Sequence, residues 1–177
     1  MLFRSARARV GWEKIRLDPA QHTAELLAPG MKLDLGAIAK GYAAQEAINV
    51  LRTNGVTHAL VSGAGDMAAG DPPPGRTGWR IELAPLDAQT ATVTNFVLIS
   101  NCGFATSGDQ FQHVEFDGVR YSHIVNPHTG LGLTDHSLVF VIARDGMIAD
   151  GLSTTISVLG PERGLKLIES KIGRAHV

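Results

Sequence analysis

The sequence has little that would direct it to nucleic acid or to a membrane. Lysine and arginine total 16 against 17 aspartate and glutamate residues, so no excess of positive charge is available for a phosphate backbone or an acidic bilayer. No apolar run approaches the roughly 20 residues that a membrane-spanning helix requires. Cys102 is the single cysteine, so an internal disulfide is excluded. The cysteine content therefore does not indicate whether the protein is in an oxidising or a reducing compartment. We therefore expect neither nucleic acid as a partner nor a transmembrane segment.

Length and turn-forming residues bound the architecture. The chain has 177 residues, 44% of them hydrophobic, which is enough for one domain with a core. Twenty glycines and eight prolines indicate many turns and argue against a helical bundle. We find no internal repeat, low-complexity block or linker, and we predict one domain over residues 1–170.

Both ends of the chain call for separate interpretations. Residues 1–9 contain basic residues but no apolar stretch of the kind found in secretion signals, and strand-like sequence follows at once. This pattern predicts a domain that is incomplete at its N-terminus. Residues 171–177 end an amphipathic helix abruptly and resemble translated sequencing-adapter DNA, so we predict a non-native tail there.

Strand-like segments outnumber helical ones. Residues 14–17 and 23–27 flank an Asp-Pro turn and predict a hairpin. Residues 114–125 predict a second hairpin, because Asp117-Gly118 favours the turns that match strand twist. Further strands are predicted at 58–62, 79–83, 96–99 and 138–142. The predicted class is α+β, with mostly antiparallel strands and hairpins and two main helices.

The two main helices follow from apolar periodicity. The first is predicted from about Ala37 to Asn54-Gly55, where glycine tolerates the left-handed conformation that closes a helix. Its predicted apolar stripe contains Tyr42, Ala44, Ala47, Ile48 and Leu51. The second is predicted to open at Asp150, and a short last helix is predicted after Gly160-Pro161.

Asp150 and Thr154 are four residues apart, so their side chains project from one side of the second helix. A carboxylate beside a hydroxyl suits a hard cation such as Mg²⁺, which proteins hold with a few oxygens together with substrate phosphates. The alternative interpretation is that Asp150 caps the helix and Thr154 is merely exposed.

The start of the first helix offers a second candidate site. Gly36 and the small residues after it allow close backbone approach, and free N–H groups with Lys40 favour an anion such as phosphate. The alternative is that Asp34 caps the helix and Lys40 is solvated.

Three other polar stretches carry weaker signals. Residues 63–68 match a dinucleotide-binding fingerprint, but three prolines follow where that fingerprint needs a helix, so only a turn carrying Asp66 remains. Residues 105–109 are typical of a turn. His123 lies late in a predicted strand, where histidines are more often structural. A zinc cluster of His123, His128 and His136 has an unusual ligand spacing.

Five motifs occur together and in a fixed order: DLGAIAKGY at 34–42, GAGD at 63–66, ATSGD at 105–109, YSHIVNPHTG at 121–130 and ADGLST at 149–154. This series closely resembles the ApbE family of FAD:protein FMN transferases. The resemblance implies a T-fold-like α+β domain and an enzyme that cleaves the FAD pyrophosphate. Such an enzyme transfers FMN to a threonine or serine hydroxyl of a partner protein and releases AMP.

The resemblance also implies roles for individual residues. Asp150, Thr154 and the backbone carbonyl of Ala37 would bind Mg²⁺, with Ser153 as a lesser candidate. The matching cofactor-binding positions are Asp34, Lys40, Ile124, Asp66, Ser107 and Gly108. His123 matches the catalytic histidine and would take the proton of the acceptor hydroxyl, which is a poor nucleophile without a base. Asp109, as a second catalytic residue, or Asp66 would be its partner.

Two other functions use the same residues. Water in place of the acceptor would give a hydrolase that splits FAD into FMN and AMP, and a chain without turnover would be a flavin-binding module. The resemblance implies an acceptor protein with a Ser/Thr-Gly-Ala-Ser/Thr motif. It also implies a periplasmic location or the outer face of the inner membrane, whereas the sequence alone leaves localisation unknown.

Overall fold

A computed structural model of the protein describes residues 2–86, 95–109 and 112–172. The helices are α1 (Leu2–Arg7), α2 (Ala39–Thr53), α3 (Gly146–Leu159) and α4 (Pro161–Ile172), with a short 3₁₀ turn at Trp12–Lys14. The strands are β1 (Ile15–Asp18), β2 (Thr23–Leu26), β3 (Leu60–Gly63), β4 (Asp66–Ala69), β5 (Trp79–Leu83), β6 (Asn95–Ile99), β7 (Gly103–Gly108), β8 (His113–Phe116), β9 (Val119–Ser122) and β10 (Leu138–Ala143).

A four-stranded antiparallel sheet in the order β10-β7-β4-β3 organises these elements. Because side chains alternate across a strand, neighbouring residues of β7 serve opposite faces. Ala105 packs with Val141 and Ala149 beneath α3, whereas Phe104 packs with Ile81 and Ile99 of the β5–β6 hairpin. On the helix face, α2 covers β3 and β4 through the cluster of Ala44, Ile48 and Ala68. The sheet therefore lies between two helices and a hairpin.

The two central helices meet through their backbones. A Cβ atom on Gly41 would lie 2.0 Å from the carbonyl oxygen of Gly146, so only glycine permits this approach. Asp145, the residue before Gly146, caps helix α3: its side chain accepts a hydrogen bond from Ile148 N at 2.9 Å. The contact brings the first turns of α2 and α3 together on the sheet.

The mixed α+β class with antiparallel strands and two main helices is confirmed. Both predicted hairpins form, and Asp117 and Gly118 adopt positive φ values of 49° and 73° in the tight turn between β8 and β9. Helix α2 ends as predicted, with Asn54 as its C-cap and Gly55 at φ 82°. Local turn chemistry thus determined these boundaries.

Two sequence-based predictions about the helices are wrong. Helix α3 begins at Gly146 and not at Asp150, because Asp145 supplies the cap; Asp150 is a buried residue inside the helix, so its interpretation as a cap is also wrong. Tyr42 is 54% exposed and lies outside the buried stripe that Ala44 and Ile48 form. Residues 173–177 lie outside the described residues, and the non-native tail stays a prediction.

Candidate active-site cleft

A cleft of about 870 Å³ opens between the first turn of α2, the middle of α3, strand β7 and the loop after β9. Its lining includes these predicted site residues: Asp34, Ala37, Lys40, Ser107, Gly108, His123, Ile124, Asp150 and Thr154. The other predicted site residues, Asp66, Asp109 and Ser153, are buried behind this lining. These nine lining residues come from four separate parts of the sequence, residues 34–40, 107–108, 123–124 and 150–154.

Asp150 is the buried carboxylate of the cleft. It is 1% exposed, and its Oδ2 accepts a hydrogen bond from the backbone N–H of Gly41 at 3.0 Å, across 109 residues of sequence. Burial raises the pKa of Asp150 above the ordinary carboxyl value; the Gly41 N–H opposes this shift and the nearby Asp66 adds to it. A cation beside this carboxyl group would stabilise its ionised form, which burial disfavours.

The carbonyl of Ala37 lies close to Gly151, the residue after Asp150. A Cβ atom on Gly151 would lie 3.9 Å from the carbonyl oxygen of Ala37, which places that oxygen against the residue that follows Asp150. Ala37 and Thr154 line the same cleft. The three residues that the resemblance implies as magnesium ligands therefore line one cleft.

Lys40 and Asp66 form an ion pair at the edge of the cleft. Lys40 Nζ lies 2.5 Å from Asp66 Oδ2, and the other oxygen of Asp66 accepts from Thr106 N at 3.1 Å. Asp66 is fully buried, so it holds Lys40 in place rather than facing a ligand itself. The alternative of a merely solvated Lys40 is wrong.

The segment before α2 does not form the predicted helix cap at Asp34. Asp34 accepts from Gly36 N at 2.8 Å in a local turn, and the helix begins after Ile38 without a side-chain cap. The cap interpretation of Asp34 is therefore wrong. The N–H groups of Ile38 and Ala39 donate to the carbonyl of Leu35, and that of Gly41 donates to Asp150. These three amides are therefore occupied and are not free for an anion, and the phosphate site predicted at this segment stays a prediction.

Ser153 does not face the cleft. It is fully buried, and its hydroxyl donates to the carbonyl oxygen of Asp150 at 2.9 Å while lying 2.7 Å from the hydroxyl of Ser107. Ser107 also lies 3.3 Å from the hydroxyl of Thr154. The structure therefore does not support Ser153 as a metal ligand and connects it to Thr154 through Ser107.

His123 lies just beyond β9 rather than within a strand, and it is exposed. Its ring Nδ1 is 3.0 Å from the carbonyl oxygen of Gln112, which also accepts from the backbone N–H of His123. A carbonyl only accepts, so Nδ1 carries the proton and Nε2 of the neutral ring keeps its lone pair. That tautomer is the one a general base needs.

Asp109 is buried and makes contacts away from His123. Its carboxylate lies 3.0 Å from Arg120 Nε and 2.8 Å from His136 Nδ1, and its backbone carbonyl accepts from Arg120 Nη2 at 2.6 Å. The structure does not support the hypothesis that Asp109 or Asp66 orients His123, because the ring Nδ1 that such a carboxylate would hold is on the carbonyl of Gln112. Asp109 instead fastens the β8–β9 hairpin to the end of β7; its catalytic role stays a prediction.

Sequence reasoning missed several residues of the cleft and its support. Arg120 and Gln112 gave no local signal, because each acts through a contact that only the fold creates. Phe104 and Phe140 form an apolar wall, with ring centroids 5.9 Å apart, but in the sequence they look like ordinary strand residues. Within the described ranges, no three histidine, cysteine or acidic side chains group as a metal site, so the zinc alternative is wrong.

A family model matches residues 2–177 of this chain, and its description is "ApbE family". A relative named FAD:protein FMN transferase from Treponema pallidum is 35% identical over 158 residues, covering 84% of this chain and 44% of the relative. The protein of that name from Vibrio cholerae serotype O1 is 32% identical over 143 residues, covering 80% and 43%. The chain thus spans about half the length of the curated relatives it matches.

Solved structures agree with the sequence matches. The chain is similar to the flavinyl transferase ApbE of Pseudomonas stutzeri, with a TM-score of 0.77 and 35% identity, covering 94% of this chain and 51% of that one. It is also similar to the flavin transferase ApbE of Vibrio cholerae, with a TM-score of 0.82 and 29% identity, covering 95% and 53%. The cleft is therefore placed on a fold shared with both proteins.

Proposed function

This chain belongs to the ApbE family, and from that premise we propose that it catalyses Mg²⁺-dependent transfer of FMN from FAD to a threonine or serine hydroxyl of an acceptor protein, releasing AMP. The observation that carries the proposal is the meeting of Ala37, Asp150, Thr154 and His123 in one cleft. Their segments are far apart in the sequence, and their meeting in one cleft supports a site that combines oxygen ligands with a base.

The residues present fit a magnesium ion. A carboxylate, a backbone carbonyl and a hydroxyl are hard oxygen donors, which Mg²⁺ prefers. Asp150 is a buried carboxylate, and the nearby Lys40 is already paired with Asp66. Magnesium bound by Ala37, Asp150 and Thr154 would offset the charge that develops on the pyrophosphate of FAD.

His123 fits the role of general base. The acceptor hydroxyl oxygen forms a bond to the FMN phosphorus, the bond from that phosphorus to the bridging oxygen breaks, and AMP leaves with that oxygen. The hydroxyl proton passes to Nε2 of His123, while Nδ1 stays on the carbonyl of Gln112. Because His123 is exposed, a hydroxyl on another protein can reach it.

The remaining walls suit the rest of FAD. Phe104, Phe140 and Met67 offer an apolar surface for a flat ring, and Lys40 offers a positive charge for phosphate oxygens. Asp66 keeps that charge at the cleft edge.

No helix in the described ranges is long and apolar enough to cross a bilayer. A periplasmic or outer-face location is part of the proposal.

The test is an incubation of the protein with FAD, Mg²⁺ and a peptide that carries a Ser/Thr-Gly-Ala-Ser/Thr motif. We expect mass spectrometry to find FMN on the peptide together with an equal amount of AMP, and EDTA to abolish both. A peptide with alanine at the acceptor position is the matched control and should stay unmodified.

Two other results would replace the proposal. AMP and FMN without modified peptide would make the chain a hydrolase. FAD binding with no turnover, unchanged in an Asp150→Ala variant, would make it a flavin-binding module.

A further inference from the structure

Three hydroxyl groups lie in a row between α3 and β7. Thr154 Oγ1 is 3.3 Å from Ser107 Oγ, Ser107 Oγ is 2.7 Å from Ser153 Oγ, and Ser153 Oγ is 2.9 Å from the carbonyl oxygen of Asp150. Ser153 is fully buried and Ser107 is 9% exposed, so water has little access to the inner part of the row. At the outer end of the row, Thr154 and Ser107 line the cleft.

The carbonyl at the inner end determines the direction of every proton in the row. A hydroxyl has one proton, and a carbonyl oxygen can only accept. The hydroxyl of Ser153 donates its proton to the backbone carbonyl oxygen of Asp150, so it must accept a hydrogen bond from Ser107. Ser107, having given its proton to Ser153, can only accept from Thr154.

We propose that Ser107 and Ser153 are positioning residues that turn the proton of Thr154 away from the cleft, so that Thr154 presents oxygen lone pairs to a cation. A hydroxyl held in this way is a ligand for a divalent metal ion and a poor hydrogen-bond donor to a phosphate oxygen. The inference rests on the proposed function, because it takes a divalent cation as the occupant of this part of the cleft.

The same proton count gives an unusual prediction for two substitutions. In Ser153→Ala, Ser107 loses its acceptor and its proton turns to Thr154 Oγ1, where it competes with the cation. In Ser107→Ala, that competing proton is absent and Thr154 merely becomes free to rotate. The double variant should therefore bind metal better than Ser153→Ala alone, so that removal of a second hydroxyl restores affinity.

The experiment is a titration of the protein with Mn²⁺, followed by the electron paramagnetic resonance signal of the free ion. We expect Ser153→Ala to bind about tenfold more weakly than the wild type, the size of one hydrogen bond. Ser107→Ala and the double variant should both lose about two- to fourfold, and Ser107→Thr, which keeps the hydroxyl, should recover the wild-type affinity.

Ser157→Ala is the matched control. The hydroxyl of Ser157 donates to the carbonyl of Ser153 at 3.0 Å on the same helix, but Ser157 is not part of the row, so its removal should leave Mn²⁺ affinity unchanged. The unfolding midpoint of each variant without metal separates a loss of metal binding from a loss of folding.

The outcomes separate the inference from the function on which it rests. Wild-type protein that binds no Mn²⁺ would overturn the magnesium part of the proposed function. Wild-type protein that binds Mn²⁺ no better than Ser153→Ala, or a double variant whose loss is the sum of the two single losses, would overturn the proton-directing row alone.

Discussion

The two ends of the cleft are built in different ways. The helix end, formed by residues 37–41 with Asp150 and Thr154, contains the buried residues Gly41 and Asp150, and its helices touch backbone to backbone through Gly41 and Gly146. The hairpin end, formed by β8, β9 and His123, is exposed and is fastened to the sheet by the contacts of Asp109.

Under the proposed function, the two ends would have different roles. A metal site needs ligands that hold their positions, and packed helices supply that rigidity. A base that meets a hydroxyl of another protein must be accessible, and an exposed hairpin supplies that access. We therefore expect changes at the helix end to alter stability and metal binding together, and changes at the hairpin end to alter rate with smaller effects on stability.

The largest expected effect on stability comes from Gly41→Ala. The new Cβ would lie 2.0 Å from Gly146 O and 2.6 Å from Gly146 C, so the two helices must separate. We expect the free energy of unfolding to fall by about 3 kcal/mol or more, measured by denaturant unfolding. Gly63→Ala is the control, since nothing lies within 4 Å of its Cβ position, and it should change stability by less than about 1 kcal/mol. Equal losses in the two variants would contradict the close helix contact.

Asp150→Asn should remove the stabilisation that magnesium gives. At a concentration 100 times its dissociation constant, Mg²⁺ should stabilise the wild type by about 2.7 kcal/mol and the variant hardly at all. Thermal unfolding with and without Mg²⁺ measures the difference. Equal gains in both proteins would contradict a role for Asp150 in metal binding.

The pH dependence of the metal-free proteins tests the same carboxyl. Because burial raises the pKa of Asp150, its contribution to stability is complete below the ordinary carboxyl range and is lost as the pH rises through the raised value. The asparagine variant does not ionise and should avoid that loss. Without metal, Asp150→Asn should therefore be at least as stable as the wild type at neutral pH, with its relative advantage shrinking in acid. An advantage that grows in acid would contradict the raised pKa.

Arg120→Ala should have an intermediate effect at the hairpin end. It leaves the buried carboxylate of Asp109 with His136, and we expect a loss of about 1–3 kcal/mol in unfolding free energy together with slower flavin transfer. Arg80→Ala, which breaks an exposed pair with Glu82, is the control and should cost about 1 kcal/mol or less. A loss no larger than that of Arg80→Ala would show that the hairpin is held by other contacts.

His123→Gln should have the smallest effect on stability and a large one on rate. The side chain is exposed, so the unfolding free energy should change by about 0.5 kcal/mol or less. Transfer of FMN should slow by about 10²- to 10⁴-fold, the contribution of a general base, while Mn²⁺ affinity stays unchanged. His128→Gln is the matched exposed control, and a similar slowing there would contradict the assignment of the base.

The sequence predicted what is local and missed what is distant. The Asp117-Gly118 turn and the Gly55 helix end follow from backbone preferences of single residues, and both formed as expected. The start of α3 was misplaced because two aspartates precede the same apolar segment, and the cap is the earlier one, Asp145. The five family motifs contain most of the residues that line the cleft, but they do not show which of these residues contact one another.

The missed features depend on pairs that the fold alone creates. Asp109 finds Arg120 and His136, and Lys40 finds Asp66, across stretches of sequence in which no local pattern marks the partner. A close approach such as that of Gly41 to Gly146 is likewise invisible in a single sequence, where each glycine looks like a turn residue or a weak helix former.

The most direct test of the account is the position of a metal ion in crystals of the protein grown with Mn²⁺ and AMP and measured by anomalous diffraction. The account predicts an ion about 2.0–2.3 Å from the carbonyl oxygen of Ala37, a carboxylate oxygen of Asp150 and the hydroxyl of Thr154. An ion bound elsewhere in the cleft, with these three oxygens not coordinating it, would contradict the account.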